Sequence, residues 1–257
     1  MFRQAIEVLG DFGLMLYRAL VAIHESLVGG RGRRIGRANL WWQMNRVGIS
    51  SIPIVCLVLF CIGAILELQM AKPLSNFGVV PLTADIVSLA TFRELGPLVS
   101  AVVLTGFGGA AIAAELGTMV VGEELEALEA QAIDPIRFLV VPRVLATMIM
   151  LVCLTVLGDI VAVFGGMVVG FFWLGIGVRQ YLAHSREMLH VQDFVTGLIK
   201  AGVFGLLISS IACFMGLRVK GGAEGVGLAT SRTVVYTIVA LILVDLLFTA
   251  AFFYLGF

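Results

Sequence analysis

The sequence has few charged residues. Asp, Glu, Lys and Arg make up 13% of its 257 residues, whereas they make up about a quarter of a typical soluble domain. Apolar residues reach 60% and the mean hydropathy is +1.06. This composition excludes an ordinary soluble domain and predicts an all-α membrane protein that crosses the bilayer several times. Basic and acidic residues number 17 each, so no basic excess points to nucleic-acid binding.

Residues that carry out catalysis or bind metals are also scarce. The four cysteines lie in apolar runs without C-x-x-C spacing, which argues against a zinc or redox site. No serine stands in a nucleophile-elbow sequence, and the histidines (His24, His184 and His190) lie outside the apolar runs, so an intramembrane hydrolase is the weakest function class. No P-loop ending occurs, not even in the glycine-rich stretch 221–227, which we interpret as a flexible connection. We therefore expect no catalytic residue, bound metal or nucleotide in this chain.

Long apolar runs dominate the rest of the sequence. A bilayer core about 30 Å thick needs roughly 20 apolar residues in a helix. The runs of that length predict five spans: Val47 to Met70, Ile86 to Met119, Phe138 to Trp173, Phe194 to Leu217 and Val234 to Phe257. At about 1.5 Å per residue the third run is longer than the bilayer is thick. It forms either one tilted helix or two helices joined near Gly165 and Gly166.

Residues 1–46 have a different pattern. No cleavable signal peptide is indicated, so we expect this segment to stay on the mature protein. Apolar residues recur at helical spacing between acidic and basic ones: Ile6, Leu9, Phe12, Leu16, Leu20 and Ile23. Such a helix either lies in the membrane interface or packs as an ordinary amphipathic helix. In the first case the basic stretch Arg31, Arg33, Arg34 and Arg37 would lie over anionic headgroups.

The basic residues predict the orientation of the chain. Seven precede the first span, and five more lie in or beside connections on the same side: Arg137, Arg143, Arg218, Lys220 and Arg232. The other side holds only Lys72, Arg179 and Arg186. Because Lys and Arg accumulate in cytoplasmic loops, we expect a cytoplasmic N-terminus and, with five spans, a C-terminus outside.

An acidic segment, residues 122–135, separates the second and third runs. Its four glutamates crowd the start of a short helical pattern, where the helix dipole favours negative charge, and Leu125, Leu128 and Ala132 share one face. We expect Pro135 to end this helix. The segment is either a solvated turn or a helix that docks on a soluble partner. Its candidate contact residues are Glu123, Glu124, Leu125, Glu126, Leu128, Glu129, Asp134 and Pro135.

Seven ionisable residues lie within or close to the apolar runs: Glu67, Arg93, Glu94, Glu115, Asp159, Lys200 and Asp245. Each costs at least about 2.5–3.5 kcal/mol at bilayer depth without a partner or water. We predict a polar cluster of Arg93, Glu94 and Lys200 that either holds a lipid headgroup or braces the helices. We expect a lipid cavity beside this cluster, with Glu67 as a further candidate at its mouth. The partners of Asp159 and Asp245 cannot be assigned from sequence.

Small residues recur every three or four positions in the second run, among them Gly106, Gly109, Ala113 and Gly117. Such spacing lets helix backbones approach closely. It predicts a helix-packing stripe, within one subunit or between two.

Four co-linear motifs carry a family resemblance. They are Arg93-Glu-Leu-Gly-Pro-Leu98, Gly109-Ala-Ala-Ile-Ala-Ala-Glu-Leu-Gly-Thr-Met119, the stretch 123–143 that contains Ala-Leu-Glu-Ala and Ile-Asp-Pro-Ile-Arg-Phe-Leu-Val-Val-Pro-Arg, and the glycine-rich stretch 221–231. Together they resemble the MlaE (YrbE) family of ABC-transporter permeases. The chain departs from the family pattern at Phe107, where an Arg is usual, and at 122–126.

The resemblance implies a homodimeric permease in the bacterial inner membrane with about five spans per subunit and an interfacial N-terminal helix. It also implies three partners: a cytoplasmic ABC ATPase that holds the ATP and Mg, a small STAS-domain protein, and a periplasmic MCE-domain protein that carries lipid. The acidic segment would then be the coupling helix. The expected cargo is a phospholipid or a similar amphiphile. The alternative is an ion-coupled secondary transporter that uses Glu94, Asp159 and Asp245 and needs no ATPase.

Overall fold

The computed structural model describes residues 2–28 and 37–255 of the chain. Every regular element in these two stretches is helical, so the all-α prediction is confirmed. The α-helices are α1 (Phe2–Val28), α2 (Arg37–Val47), α3 (Ile52–Asn76), α4 (Leu82–Ala90), α5 (Gly96–Leu104), α6 (Ala110–Val121), α7 (Glu124–Ala130), α8 (Val141–Leu174), α9 (Val178–Met188), α10 (Val191–Leu217) and α11 (Gly222–Leu255). Wider π-helical turns occupy Thr91–Leu95, Thr105–Gly109 and Ile136–Val140.

Within the described residues, five helical stretches are long and apolar enough to cross a membrane: Ala38–Asn76, Leu82–Val121, Ile136–Leu174, Val191–Leu217 and Gly222–Leu255. The number of spans agrees with the prediction, but most of the predicted ends lie inside these helices. Backbone hydrogen bonds continue a helix into polar sequence, whereas an apolar run marks only its membrane part. Residues 38–46, assigned to the interfacial segment, therefore belong to the first long stretch. The third run is a single helix through Gly165 and Gly166.

The glycine-rich stretch after α10 is not the flexible connection that its composition suggests. Gly221 and Gly222 have φ angles of 91° and 68°, which turn the chain in a conformation that glycine tolerates without strain. From Gly222 the chain is helical. A Cβ atom on Gly225 would lie 1.9 Å from the carbonyl oxygen of Lys220. The absence of a side chain at Gly225 therefore allows the tight turn.

The described chain forms two compact units, each built from three separate stretches of sequence. The first unit comprises Met1–Ile49, Thr105–Met150 and Gly205–Ala240. The second comprises Ser50–Leu104, Leu151–Phe204 and Leu241–Phe257.

Helix α1 in the first unit has two apolar faces. One packs inward through the buried Met15, Ala19 and Ala22, and the ring of Phe12 meets that of Phe214 at 5.4 Å. The opposite face leaves Leu14 60% and Tyr17 67% exposed. The helix is therefore a packed helix whose second apolar face is free to contact lipid. The basic residues Arg31, Arg33 and Arg34 and the side chain of Arg37 lie outside the described residues.

The predicted small-residue stripe packs within the chain at three of its four positions. A Cβ atom on Gly109 would lie 3.3 Å from Ile208, and one on Gly117 would lie 2.9 Å from Val219. Ala113 is fully buried. Gly106 packs against no described residue of this chain, because it is exposed and none of them lies within 4 Å of its Cβ position. It stands in the π turn Thr105–Gly109, which rotates it out of phase with the residues that follow. Packing of Gly106 against a second subunit stays a prediction.

A close helix approach in the second unit joins α3 and α8. A Cβ atom on Gly63 would lie 1.9 Å from the Ala162 carbonyl oxygen, and one on Gly165 would lie 2.2 Å from the Phe60 carbonyl oxygen. The two glycines therefore let the two backbones touch. Gly63 is a single glycine and the pair Gly165 and Gly166 suggested a joint between two helices, so this contact was not predicted.

Candidate functional site

A cavity of about 420 Å³ lies in the second unit. The helices α4, α10 and α11 and the π turn Thr91–Leu95 form its wall. Its lining combines apolar and charged side chains: Ile86, Leu89, Ala90, Arg93, Glu94, Thr196, Lys200, Thr249, Phe252 and Phe253. Arg93, Glu94 and Lys200, the three residues of the predicted polar cluster, all line this cavity.

Lys200 is the centre of the charged end. Its side chain is 1% exposed, and its Nζ atom lies 2.6 Å from Glu94 Oε2 and 3.0 Å from Asp245 Oδ1. The same Nζ donates to the hydroxyl of Thr249 at 3.0 Å, and that hydroxyl donates to Glu94 Oε1 at 2.9 Å. The ammonium group thus has three oxygen neighbours on two other helical elements: it donates hydrogen bonds to Glu94 and Thr249 and forms an ion pair with Asp245. It also lies 6.0 Å from the ring of Phe252.

Arg93 does not belong to the Lys200 network and pairs instead with Asp193. Its Nε atom lies 3.3 Å from Asp193 Oδ1, at the start of α10, and its side chain is 35% exposed. Adjacent helical residues point in different directions, so Arg93 and Glu94 reach different partners. The structure therefore brings Glu94 and Lys200 into one network and leaves Arg93 as a second, more accessible charge on the same cavity.

The backbone that carries Arg93 and Glu94 is a π turn. The amide of Gly96 donates to the carbonyl oxygen of Thr91, five residues back. Pro97 follows and has no N–H to donate, so the regular bonding pattern breaks at this point. The wider turn displaces the two charged residues from the regular helical positions. Such π turns are common at functional sites.

Glu67 does not line the cavity, contrary to expectation. It is fully buried, and its carboxylate accepts hydrogen bonds from the hydroxyls of Thr83 and, at 3.3 Å, Tyr181. Burial, together with the neighbouring Glu67 charge, raises the pKa of the Tyr181 phenol. Glu67 therefore ties α3 to α4 and α9. These two partners could not be predicted from the apolar run around Glu67, because Thr83 and Tyr181 both lie outside that run.

The two deep aspartates have separate environments. Asp245 belongs to the Lys200 network. Asp159 is 1% exposed, and its Oδ1 atom lies 1.7 Å from the position of a Cβ on Gly96, so only glycine fits there. The two residues therefore do not form one polar group. Sequence reasoning also missed Asp193 and Thr249, although Asp193 begins an apolar run and was detectable as a charge at a span end.

The acidic segment contains a shorter helix than predicted. α7 runs from Glu124 to Ala130, and Glu123 before it has a φ of 58°. Pro135 does not end this helix, because it precedes the next helical turn, where Asp134 Oδ1 accepts a hydrogen bond from the amide of Ile136 at 3.0 Å. Ala132 lies beyond the helix with a φ of 59° and shares no face with Leu125 and Leu128. The glutamates of the segment are exposed and both leucines are half-buried.

An ion-pair network holds the helices on either side of this segment. Glu115 on α6 lies 3.0 Å from Arg143 on α8 and 2.9 Å from Arg46 on α2. Arg143 is 3% exposed and also donates to the Leu139 carbonyl oxygen at 2.7 Å. The acidic segment therefore connects α6 and α8, and the Glu115–Arg143 ion pair joins these two helices to each other.

Comparisons with known proteins agree with the arrangement of spans. The model of the family described as Permease MlaE matches residues 40–251. The chain is 40% identical over 211 residues, 82% of each chain, to a probable ABC transporter permease protein of Rickettsia felis. It is 33% identical over 247 residues to the intermembrane phospholipid transport system permease protein MlaE of Haemophilus influenzae, which covers 96% of this chain and 95% of the relative.

A plant protein also matches. The chain is 32% identical over 225 residues to the chloroplastic protein TRIGALACTOSYLDIACYLGLYCEROL 1 of Arabidopsis thaliana, which covers 86% of this chain and 64% of the relative. The family model covers most of the chain, and the Haemophilus match covers nearly all of it. With its five apolar helices, the chain belongs to the MlaE permease family and is a multi-pass membrane permease of the ABC-transporter class.

Proposed function

We propose that the chain moves phospholipid, or a similar amphiphile, between the inner membrane and a periplasmic MCE-domain partner, and that a separate cytoplasmic ATPase drives it. The observation that carries this proposal is the mixed lining of the cavity. Lys200, Arg93 and Glu94 stand at its charged end, and Phe252 and Phe253 supply an apolar wall. A hydrophilic solute gains nothing from that wall, whereas an amphiphile uses both parts.

The size of the cavity suits a headgroup and the first part of its acyl chains. Pockets of about 300–1,000 Å³ hold drug-sized molecules, and this one measures about 420 Å³. Phe253 is 79% exposed beside it, and Leu246 on the same helix is 66% exposed. We propose that the rest of each acyl chain lies along this apolar surface of α11. The name of the Haemophilus relative, which refers to intermembrane phospholipid transport, supports the same cargo.

The acidic segment supports the proposed source of energy. Its exposed carboxylates and its narrow edge of Leu125 and Leu128 suit a groove on a soluble ATPase. In this mechanism the closure of an ATPase dimer moves the acidic segments of two permease copies. The Glu115–Arg143 pair passes that motion to α6 and α8. A STAS-domain protein completes the proposed complex on the cytoplasmic side.

The test is a charge reversal at the cavity. The affinity-purified complex is reconstituted with a fluorescent phospholipid, and ATP-dependent lipid transfer is measured for Glu94→Lys and for the matched control Glu187→Lys. Glu94 is 36% exposed and contacts Lys200, whereas Glu187 is exposed on α9 and does not line the cavity. We expect Glu94→Lys to lose at least 90% of transfer while the complex stays assembled, because two cations then face each other.

Two outcomes would count against the proposal. Wild-type transfer by Glu94→Lys would exclude the charged end of the cavity from the lipid path. Transfer that follows an ion gradient and ignores ATP would favour the ion-coupled carrier, for which a lysine between two carboxylates is also a suitable site.

A further inference from the structure

The first unit contains a cavity of its own, of about 430 Å³. The end of α10, the short connection 218–221 and the first turns of α11 form it. None of its lining residues belongs to the cavity of the proposed lipid path. Its chemistry therefore needs a separate explanation.

Three cations line this cavity: Arg218, Lys220 and Arg232. Arg218 is already engaged, because it lies 2.8 Å from Asp11 and its guanidinium stands 5.0 Å from the ring of Phe214. Within the described part of the chain, Lys220 and Arg232 have no ion-pair partner. The lining keeps an uncompensated positive charge, so the ligand that suits it is an anion.

The other walls of the cavity are apolar and open outward. Leu228 is 50% exposed and Tyr236 is 55% exposed. The exposed apolar surface continues along α11 through Val235 and Val239, which are 59% and 52% exposed. A small inorganic anion would leave these walls uncovered. An anion with hydrocarbon chains would cover them and would remove apolar surface from water.

The cations stand where the membrane helices meet water. Arg218 directly follows the last residue of α10, and Arg232 is the last basic residue of α11 before its long apolar part. Basic residues at the ends of spans lie at the depth of lipid headgroups. Basic pockets between membrane helices are known binding places for anionic headgroups.

We propose that this cavity binds the phosphate headgroup of an anionic phospholipid through Lys220 and Arg232, with the acyl chains along the apolar surface of α11. Phosphate oxygens accept hydrogen bonds from both an Arg guanidinium and a Lys ammonium group. The site would hold a bound lipid at the membrane boundary and does not depend on the transport activity proposed above.

The experiment measures lipid retention. The complex purified in detergent is titrated with dioleoylphosphatidylglycerol or with dioleoylphosphatidylcholine, and bound lipid is counted by native mass spectrometry. The test variant is Lys220→Gln/Arg232→Gln. Its matched control is Arg179→Gln/Arg186→Gln, which removes two exposed cations from α9. A third variant, Lys220→Arg/Arg232→Lys, keeps both charges and shows whether a loss follows charge or misfolding.

We expect the wild type, the control and the charge-keeping variant to retain phosphatidylglycerol in preference to phosphatidylcholine. The Lys220→Gln/Arg232→Gln variant should bind phosphatidylglycerol at least tenfold more weakly. Equal retention by this variant and the control would overturn the proposal, and so would equal binding of the two lipids. Displacement of the lipid by millimolar inorganic phosphate would identify a free-phosphate site instead. Phosphatidylglycerol that binds the permease freed of its ATPase but not the complex would overturn the proposal and assign the cavity to a protein partner.

Discussion

Lys200 is the cation that pairs with both carboxylates, Glu94 and Asp245, at the charged end of the cavity. It is almost fully buried and lies within 3.0 Å of both Glu94 and Asp245. A buried ion pair adds little net stability, but removal of one partner leaves an uncompensated buried charge. The single cation therefore holds two carboxylates that would otherwise repel each other.

We expect Lys200→Met to destabilise the protein by about 3–5 kcal/mol, the usual cost of breaking a buried ion pair. Thermal unfolding in detergent should show a lower midpoint for this variant than for Lys72→Met, which removes an exposed lysine. Neutralising the carboxylates as well, in Lys200→Met/Glu94→Gln/Asp245→Asn, should restore much of the loss. If Lys200→Met and Lys72→Met unfold at the same temperature, the network does not hold the helices together.

Part of this network could be predicted from the sequence. Glu94 and Lys200 interrupt apolar runs, and the cost of a lone charge in a membrane requires that each find a partner. The choice of partner depends on helix rotation, which a π turn changes by a fraction of a turn. Arg93 therefore pairs with Asp193. Lys200 also contacts Asp245 and Thr249, which lie about 50 residues further along the sequence on α11. Glu67 fails as a cavity residue because its partners lie outside any apolar run.

The helices α3 and α8 contact each other through their backbones rather than through side chains at Gly63 and Gly165. Water does not drive helices together inside a membrane, so close backbone approach and van der Waals contact provide much of the attraction. Gly63 and Gly165 remove the side chains that would separate these two helices.

Gly63→Ala tests that contact. Its new methyl group would lie 1.9 Å from a backbone oxygen, which cannot move aside as a side chain can. We expect a destabilisation of about 1–3 kcal/mol, as for other overpacked sites, visible as a lower unfolding midpoint. Gly106→Ala is the control because nothing lies within 4 Å of its Cβ position. Equal midpoints would show that α3 and α8 separate without cost.

The existence of the long helices could be predicted, but most of their ends could not. Apolar composition marks the part of a helix that lies in lipid, and the runs from Phe138 and Val234 both lie inside longer helices. The helix of the acidic segment is shorter than its pattern suggested because Glu123 and Ala132 both adopt positive φ angles. Such local turns depend on the neighbouring helix ends rather than on composition.

For the whole molecule, the five spans and the distribution of basic residues predict one orientation. With seven Lys and Arg residues before the first span, the N-terminus should be cytoplasmic and the C-terminus outside. A C-terminal alkaline phosphatase fusion should therefore be active, and a C-terminal green fluorescent protein fusion should be dark. The reverse pattern, an inactive phosphatase and a fluorescent green fluorescent protein at the C-terminus, would contradict this orientation and place the acidic segment on the wrong side for an ATPase.

We expect this permease to work in a complex whose ATPase docks on the acidic segment. Affinity purification of the tagged protein in mild detergent, with mass spectrometry and an ATPase assay on the eluate, is the decisive experiment. We expect an ABC ATPase and an MCE-domain protein to co-purify, and both the bound ATPase and its activity to fall when Glu123, Glu126 and Glu129 are changed to Gln. Recovery of the permease alone, even after crosslinking, would contradict a docked ATPase and favour an ion-coupled carrier.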